Sequence, residues 1–185
     1  MKTAKSDIET IQTRAELLPE DFNFDFSPVL TRELDGITGD FDQNIINKIA
    51  LWKVARYPHV DEITIERLNG IAGDQEYNEG HKKILCLLLR CRGVRLPMAS
   101  TFLRFRNPKL FQIIDQRVYR VLTGQELQLP LARSLGALEE TCEMYFDYLR
   151  KLKEKCTELD IPFEKADRIL WNADKRVNKG KKLKY

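Results

Sequence analysis

Apolar residues recur at helical spacing along most of the chain, whereas the alternation typical of strands is nearly absent. Between 138 and 159 they follow one another in steps of four and three, which predicts a long amphipathic helix. A similar pattern runs from Phe163 to Val177. The apolar run at 84–89 is typical of a helix that is buried on several sides. The sequence therefore predicts an all-α fold.

Prolines, glycines and capping residues predict where the helices begin and end. Pro58 and Gly93 should each stop a helix, and Asp61 and Asp115 should each cap the start of one. Pro97 suits the first turn of a helix, where a missing backbone N–H costs nothing. We expect helices over about 40–56 and 75–93, and a further helix from Pro97 to the Asn-Pro pair at 107–108.

Most of residues 1–40 lack this helical pattern. Their sequence predicts an N-terminal segment that wraps around the helical body. Residues 18–40 are rich in Pro, Gly, Asp and Phe, which indicates an irregular path whose aromatic side chains dock on the body. The 185 residues fit one domain, which ends in a basic tail at 178–185. A short helix that stops at Pro19 is marked by Ile8, Ile11, Ala15 and Leu18.

Composition narrows the class of protein. No apolar run approaches the roughly 18 residues of a membrane helix, and the N-terminus lacks the apolar core of a signal peptide. We therefore expect a cytoplasmic monomer with no membrane partner. The spacing of the cysteines fits neither a disulfide framework nor a zinc or iron–sulfur site, so we expect reduced core thiols, no metal and no other cofactor. These cysteines are Cys86, Cys91, Cys142 and Cys156.

The net charge of +3 conceals a strongly basic middle segment. Residues 81–120 contain ten Lys and Arg side chains and one acid, a net charge of +9, whereas residues 1–80 carry a net charge of −8. Such segregation favours a polyanionic partner such as nucleic acid. The alternative is that several of these arginines pair with carboxylates on other helices.

The basic segment contains a turn with a further signal. At Gly93-Val94-Arg95-Leu96 a glycine turn leads into a helix start, which leaves backbone amides free to hold a phosphate. Asp115 follows Gly93 after 22 residues and precedes an arginine-rich helix start. Over about 81–122 this combination resembles the helix-hairpin-helix DNA glycosylase superfamily, with the spacing of its endonuclease III-like branch.

The resemblance implies that the partner is double-stranded DNA and that the protein serves base-excision repair. Amides of the hairpin would bind a backbone phosphate, Asp115 would act on the sugar, and a flipped base would stack in an aromatic pocket. The residues assigned to DNA binding are Gly93, Val94, Arg95, Leu96, Arg92, Arg117 and Arg120. Trp52 and Tyr119 are assigned to the base pocket, from the available aromatic residues Trp52, Tyr57, Tyr77, Tyr119 and Trp171.

Two departures from the family pattern shape the expected chemistry. Arg95 replaces the second hairpin glycine, where a positive φ would strain an arginine. Pro97 replaces the lysine that forms a Schiff base in bifunctional members, so the resemblance implies hydrolysis without lyase activity. Asp115 should carry a negative charge at neutral pH, because it lies at a helix N-terminus beside Arg117 and Arg120. The alternative for Asp115 is a helix N-cap with no chemical role. A noncatalytic DNA-binding module of the same fold and a helical protein-interaction domain stay open as alternatives.

Overall fold

The structure is a computed structural model that describes residues 9–24, 26–54, 58, 60–130 and 134–183. Within these ranges it contains eight α-helices and no β-strand, which confirms the predicted all-α class. The helices are α1 (Pro28–Asp35), α2 (Gln43–Val54), α3 (Glu62–Gly70), α4 (Glu79–Arg90), α5 (Leu96–Arg106), α6 (Gln116–Thr123), α7 (Leu135–Leu159) and α8 (Ala166–Val177). Short 3₁₀ turns lie at Arg14–Glu16, Pro19–Phe22, Ile71–Gly73 and Phe163–Lys165.

Capping residues begin and end the helices much as the sequence predicts. The Asp61 side chain accepts a hydrogen bond from the Thr64 N–H at the start of α3, and Asp115 caps α6 in the same way. Helix α4 begins later than expected, because Asn78 provides its N-cap. It also ends at Arg90, three residues before Gly93.

The N-terminal segment differs from the prediction. The expected short helix ending at Pro19 is wrong, since 9–18 contain only the turn at Arg14–Glu16, and Ile8 lies outside the described residues. Helix α1 in turn forms where an irregular path was expected. Long-range hydrogen bonding opposes the helix that was expected before Pro19: the Ile11 N–H donates to the Val121 carbonyl at 3.3 Å. Backbone groups bound to the body in this way are not available for a helix of their own.

Helix α5 forms the centre of the fold. Every side chain from Met98 to Arg106 is buried. It contacts α2, α3 and α4, while α7 packs against α4 and α6, and α8 packs against α6. Residues 1–40 were expected to dock through aromatic side chains, and Phe24 and Phe26 do pack against α2 and α8. None of the helices within the described ranges is long and apolar enough to cross a membrane.

The connection from α5 to α6 is buried and fixes the start of α6. Two tyrosines of α7 donate hydrogen bonds to its carbonyls, Tyr145 to Gln112 at 2.9 Å and Tyr148 to Ile113 at 2.7 Å. Burial raises the pKa of both phenols well above their usual value, so both remain protonated donors. These contacts hold the backbone immediately before Asp115 in one position.

The C-terminal segment is docked further than predicted. Asn178, expected to begin a solvated tail, is 2% exposed. Its side chain accepts from the Glu9 N–H and donates to the Glu9 carbonyl, each at 3.0 Å. The two ends of the described chain are therefore joined. Within the predicted tail, the exposed lysines that the structure describes are Lys179 and Lys182.

The turn between α4 and α5 requires glycine at one position. Gly93 has a φ of +83°, which L residues with a Cβ rarely adopt. We expect Gly93→Ala to lower the free energy of unfolding by about 1–2 kcal/mol. Gly70→Ala is the matched control, because Gly70 has a φ of −60° and open space around its Cβ position. Urea unfolding measures both, and equal stabilities would contradict the prediction.

Candidate functional site

A cavity of about 190 Å³ lies between α2, α6, α8 and the N-terminal segment. An apolar cavity of roughly 150 Å³ holds a benzene ring, so this one has room for an aromatic ring. Aromatic rings and two carboxyl groups form much of its wall. The lining residues are Phe24, Phe26, Trp52, Lys53, Ile113, Asp115, Val118, Asp167, Arg168 and Trp171.

The aromatic wall is held by edge-on ring packing and by hydrogen bonds. The Phe24 ring lies 5.8 Å from Trp171 and the Phe26 ring lies 5.3 Å from Trp52. The Trp52 Nε1–H donates to the Thr31 hydroxyl at 2.6 Å, and that hydroxyl donates to the Phe26 carbonyl at 2.7 Å. These hydrogen bonds fix the orientation of the Trp52 ring, so this part of the cavity wall is held by more than side-chain packing.

Asp115 joins the cavity to the start of α6. Its Oδ1 accepts a hydrogen bond from the Val118 N–H at 2.8 Å, so the predicted N-cap is confirmed. The carboxyl group is only partly buried, and the described residues engage its other oxygen in no hydrogen bond. Because Asp115 also lines the cavity, capping and contact with a ligand are compatible.

A second carboxyl group, that of Asp167, lines the same cavity from α8. It is 4% exposed, and within the described ranges it accepts one hydrogen bond, from the Arg168 N–H at 2.8 Å. Burial raises the pKa of this carboxyl, and the negative charge of Asp115 acts in the same direction. The two carboxyl groups of the cavity therefore differ in environment.

The positive charge of Arg168 is largely committed elsewhere. Its guanidinium binds both carboxylate oxygens of Asp35 on α1. Asp35 also accepts from Arg104 of α5 at 2.7 Å. Lys53 is the other cation of the cavity wall, and no ion-pair partner is found for it within the described part of the chain.

The hairpin between α4 and α5 leaves donors exposed. The Val94 N–H donates to the Cys91 carbonyl at 3.2 Å, and the side chains of Val94 and Leu96 are buried. The amides of Gly93 and Arg95 have no acceptor among the described residues. Arg95 has an extended backbone with a φ of −116°, so the expected strain at this position does not arise. An arginine fits here because the positive φ belongs to Gly93 alone.

About half of the predicted basic patch is used inside the protein. Of the ten basic side chains in 81–120, five form ion pairs with carboxylates of other helices or loops. They are Lys82, Arg104, Arg106, Arg117 and Arg120. For these five side chains the structure therefore shows the alternative interpretation, in which basic residues pair with carboxylates of the protein itself. The others are exposed: Lys83, Arg90, Arg92, Arg95 and Lys109.

Arg117 and Arg120, both assigned to DNA, point into the protein. Arg120 is 3% exposed and binds Asp174 of α8 in a bidentate pair, with N–O distances of 2.6 and 2.8 Å. Arg117 donates to the same carboxylate at 3.1 Å and lies over the Trp171 ring. Arg120 was assigned to phosphate binding, but its side chain is buried and its charge is paired with Asp174, which favours a structural role.

Some of the aromatic residues predicted for the pocket line the cavity, and others do not. Trp52 lines the cavity, and so does Trp171, which the sequence offered as one of several aromatic candidates. Tyr119 does not: it stacks on Tyr148 at a centroid distance of 6.4 Å, on another side of α6. Tyr119 was assigned to the base pocket, but its side chain is not part of the wall of this cavity. Tyr77 packs against His81 and Phe111, away from the cavity, and Tyr57 lies outside the described residues.

The cavity and the hairpin lie near each other. Lys53 lines the cavity, and Pro58 contacts the hairpin, with its Cα 3.9 Å from the Cβ position of Gly93. Five residues of chain span at most about 18 Å. Hence the hairpin and the cavity wall are within roughly 22 Å, which corresponds to about six base pairs at 3.4 Å each.

Phe24, Phe26 and Asp167 line the cavity although they are not among the site residues predicted from the sequence. Asp167 and Trp171 are four residues apart and so share one face of α8, a spacing that could have indicated a polar group beside an aromatic one. The two phenylalanines carry no such signal, because their partners lie far away in sequence. Only the path of the N-terminal segment brings them to the cavity.

No family model, curated protein or solved structure matches this chain. Across the described ranges, no group of three or more His, Cys, Asp and Glu side chains is arranged to hold a metal ion. Function must therefore be inferred from the cavity, the hairpin and their charges.

Proposed function

We propose that this protein binds double-stranded DNA and removes a damaged or modified base by hydrolysing its N-glycosidic bond, in the manner of a helix-hairpin-helix DNA glycosylase without lyase activity. One observation carries the proposal. Asp115 and Trp52, which the sequence assigns to the sugar and to the base pocket, line the same cavity. They come from separate helix ends, so their meeting does not follow from sequence proximity.

The cavity suits a flipped base. Enzymes that act on a base extrude it from the duplex and stack it between aromatic or apolar side chains. Phe24, Trp52 and Trp171 offer such faces, and Phe26, 42% exposed, stands at the surface beside them. A base that entered would place its sugar at the mouth of the cavity.

Asp115 would act on that sugar. As the bond between C1′ and the base stretches, positive charge develops on the sugar ring, and a nearby carboxylate stabilises it or orients the attacking water. One oxygen of Asp115 accepts from the Val118 N–H, and the other, which accepts no hydrogen bond from the described residues, is available for this role. Pro97 offers no amine at the start of α5, so hydrolysis is the expected reaction.

The hairpin would hold the DNA backbone. The amides of Gly93 and Arg95, which have no acceptor in the described part of the chain, and the exposed guanidinium groups of Arg92 and Arg95 would form a small anion-binding surface. Contacts of this kind position the duplex but do not read its sequence. The base would then be chosen by the cavity.

The test is to incubate the protein with duplexes that each carry one modified base, and to treat the products with alkali. Strand breaks that appear only after alkali would support the proposal and identify the base. Breaks without alkali, with a borohydride-trapped adduct, would instead indicate a lyase, and Lys53 would be the amine to replace. Binding without any product would assign a noncatalytic DNA-binding module, and no DNA binding would leave the protein-interaction domain.

The hairpin arginines provide a separate prediction. Arg92→Gln combined with Arg95→Gln should weaken binding to duplex DNA about equally for all sequences and lower the slope of log K against log salt by roughly 2, since each lost phosphate contact accounts for about 0.9. Fluorescence anisotropy across a salt series measures this. The control replaces Lys151 and Lys153, two exposed lysines of α7, by Gln and should leave the slope nearly unchanged. Equal slopes for the two double variants would remove the hairpin from the DNA interface.

A further inference from the structure

The cavity contains two carboxyl groups with opposite properties. Asp115 is partly exposed at a helix N-terminus, whereas Asp167 is 4% exposed and lies among aromatic rings. Pairs of carboxyl groups whose environments differ in this way serve as separate acid and base in glycoside hydrolysis. The hydrolysis proposed above gives a role only to Asp115.

Asp167 has hydrogen-bonding capacity left over. Its only hydrogen bond to the described residues comes from the Arg168 N–H, through Oδ1. No described residue donates a hydrogen bond to its Oδ2, and this oxygen is not among the fully buried atoms that lack a partner. Because Asp167 lines the cavity, a molecule inside it can reach this carboxyl group. A nearly buried carboxyl group with a free oxygen toward a cavity is costly unless a ligand uses it.

We infer that Asp167 is the general acid of this site and that the base released is an uncharged purine. The inference rests on the proposed function and names its substrate class. A neutral base is a poor leaving group until a ring nitrogen is protonated, and purines carry such an acceptor at N7. A base that is already cationic would gain nothing from a proton donor in the cavity.

The reaction then balances. The bond between C1′ and the base breaks, its electron pair goes to the base, and the Asp167 carboxyl proton moves to a base nitrogen. Water adds to C1′ from the side of Asp115 and loses a proton to solvent, either directly or through that carboxylate, which then releases it. Asp167 regains a proton from solvent. The net change consumes one water and yields the free base and an abasic sugar.

Several charged groups surround Asp167 and affect its protonation. Burial raises its pKa, as does Asp115, whereas Arg104 and Arg168 act in the opposite direction. Both arginines share Asp35 as a partner, which reduces their effect. The ionisable groups that lie near Asp167 are Lys53 from α2, Arg104 from α5, Asp115 at α6, Tyr145, Tyr148 and Cys156 from α7, and Arg168 from its own helix.

The experiment compares neutral and cationic bases under single-turnover conditions. Duplexes carry hypoxanthine, 8-oxoguanine or an adenine mispair as neutral purines, and 7-methylguanine as the cationic one. Asp167→Asn should slow release of the neutral purine by about 100-fold or more and leave 7-methylguanine release within a few-fold. With the parent, neutral-purine release should fall as pH rises through the Asp167 pKa, and Asp167→Asn should remove that dependence. Asp167→Glu, which keeps a proton donor, should retain part of the rate.

Each outcome decides one of the two claims. If the parent releases no base at all, the proposed function fails and this inference falls with it. If it releases only 7-methylguanine or pyrimidines, or if Asp167→Asn releases the neutral purine at the parental rate, the proposed function stands and the inference is overturned. If Asp167→Asn does not fold, the parental pH profiles decide. A falling profile for the neutral purine beside a flat one for 7-methylguanine supports the inference, and parallel profiles overturn it.

Discussion

Asp115→Asn is expected to reduce base release by about 100-fold or more while the protein keeps its fold and its affinity for DNA. Asn is as good a helix N-cap as Asp, because its side-chain oxygen can accept the same bond from the Val118 N–H. The substitution therefore retains the structural role and removes only the negative charge. A loss of activity would then report on chemistry at the sugar.

The measurement combines single-turnover base release, anisotropy binding and urea unfolding on the same variant. Asp61→Asn is the control, since Asp61 caps α3 through the same backbone hydrogen bond, also accepts from the Thr64 hydroxyl, and lies outside the cavity. It should leave base release at the parental level. If Asp115→Asn also released the base at the parental rate, Asp115 would be a helix cap with no part in the reaction.

The helical part of the fold was predictable because its signals are local. Asp61 and Asp115 cap the helices that follow them, and the Asn-Pro pair ends α5 at Arg106. Each of these effects depends on a few neighbouring residues. The N-terminal segment was not predictable in the same way, because Ile11 and Glu9 bind backbone and side-chain groups more than 100 residues away.

The candidate site was predictable only in part, for a related reason. Asp115 and Trp52 stood out by their own type and position, and the structure brings them together. Tyr119 was an equally good aromatic candidate by sequence, but the direction of its side chain on α6 takes it to Tyr148. Such a choice depends on packing between α6 and α7, which no local pattern encodes.

The charge pattern shows the same limit more strongly. A run of arginines gives the sum of the charge but not the direction in which each side chain points. Arg92 and Arg95 lie at a turn and are exposed, whereas Arg120 lies on the face of α6 that packs against α8. Its carboxylate partner, Asp174, is 54 residues further along the chain.

Arg120→Met is expected to lower the free energy of unfolding by about 3 kcal/mol, the low end of the range for breaking a buried ion pair. The change leaves Asp174, 0% exposed, without its bidentate partner. Arg117 and Asn178 still donate to that carboxylate, at 3.1 and 2.9 Å, which moderates the loss. Urea unfolding measures the change. Arg150→Met, at an exposed ion pair on α7, should cost less than about 1 kcal/mol.

The same variant decides between the two roles considered for Arg120. If Arg120 bound phosphate, its loss would weaken DNA binding and lower the salt slope with little effect on stability. The structure instead makes it, together with Arg117, an ion-pair link between α6, whose N-cap is Asp115, and α8, which carries Asp167. Arg120→Met should therefore slow base release without changing the salt slope, because the two carboxyl groups lose part of their fixed separation. An unchanged stability together with a lower salt slope would return Arg120 to the DNA interface.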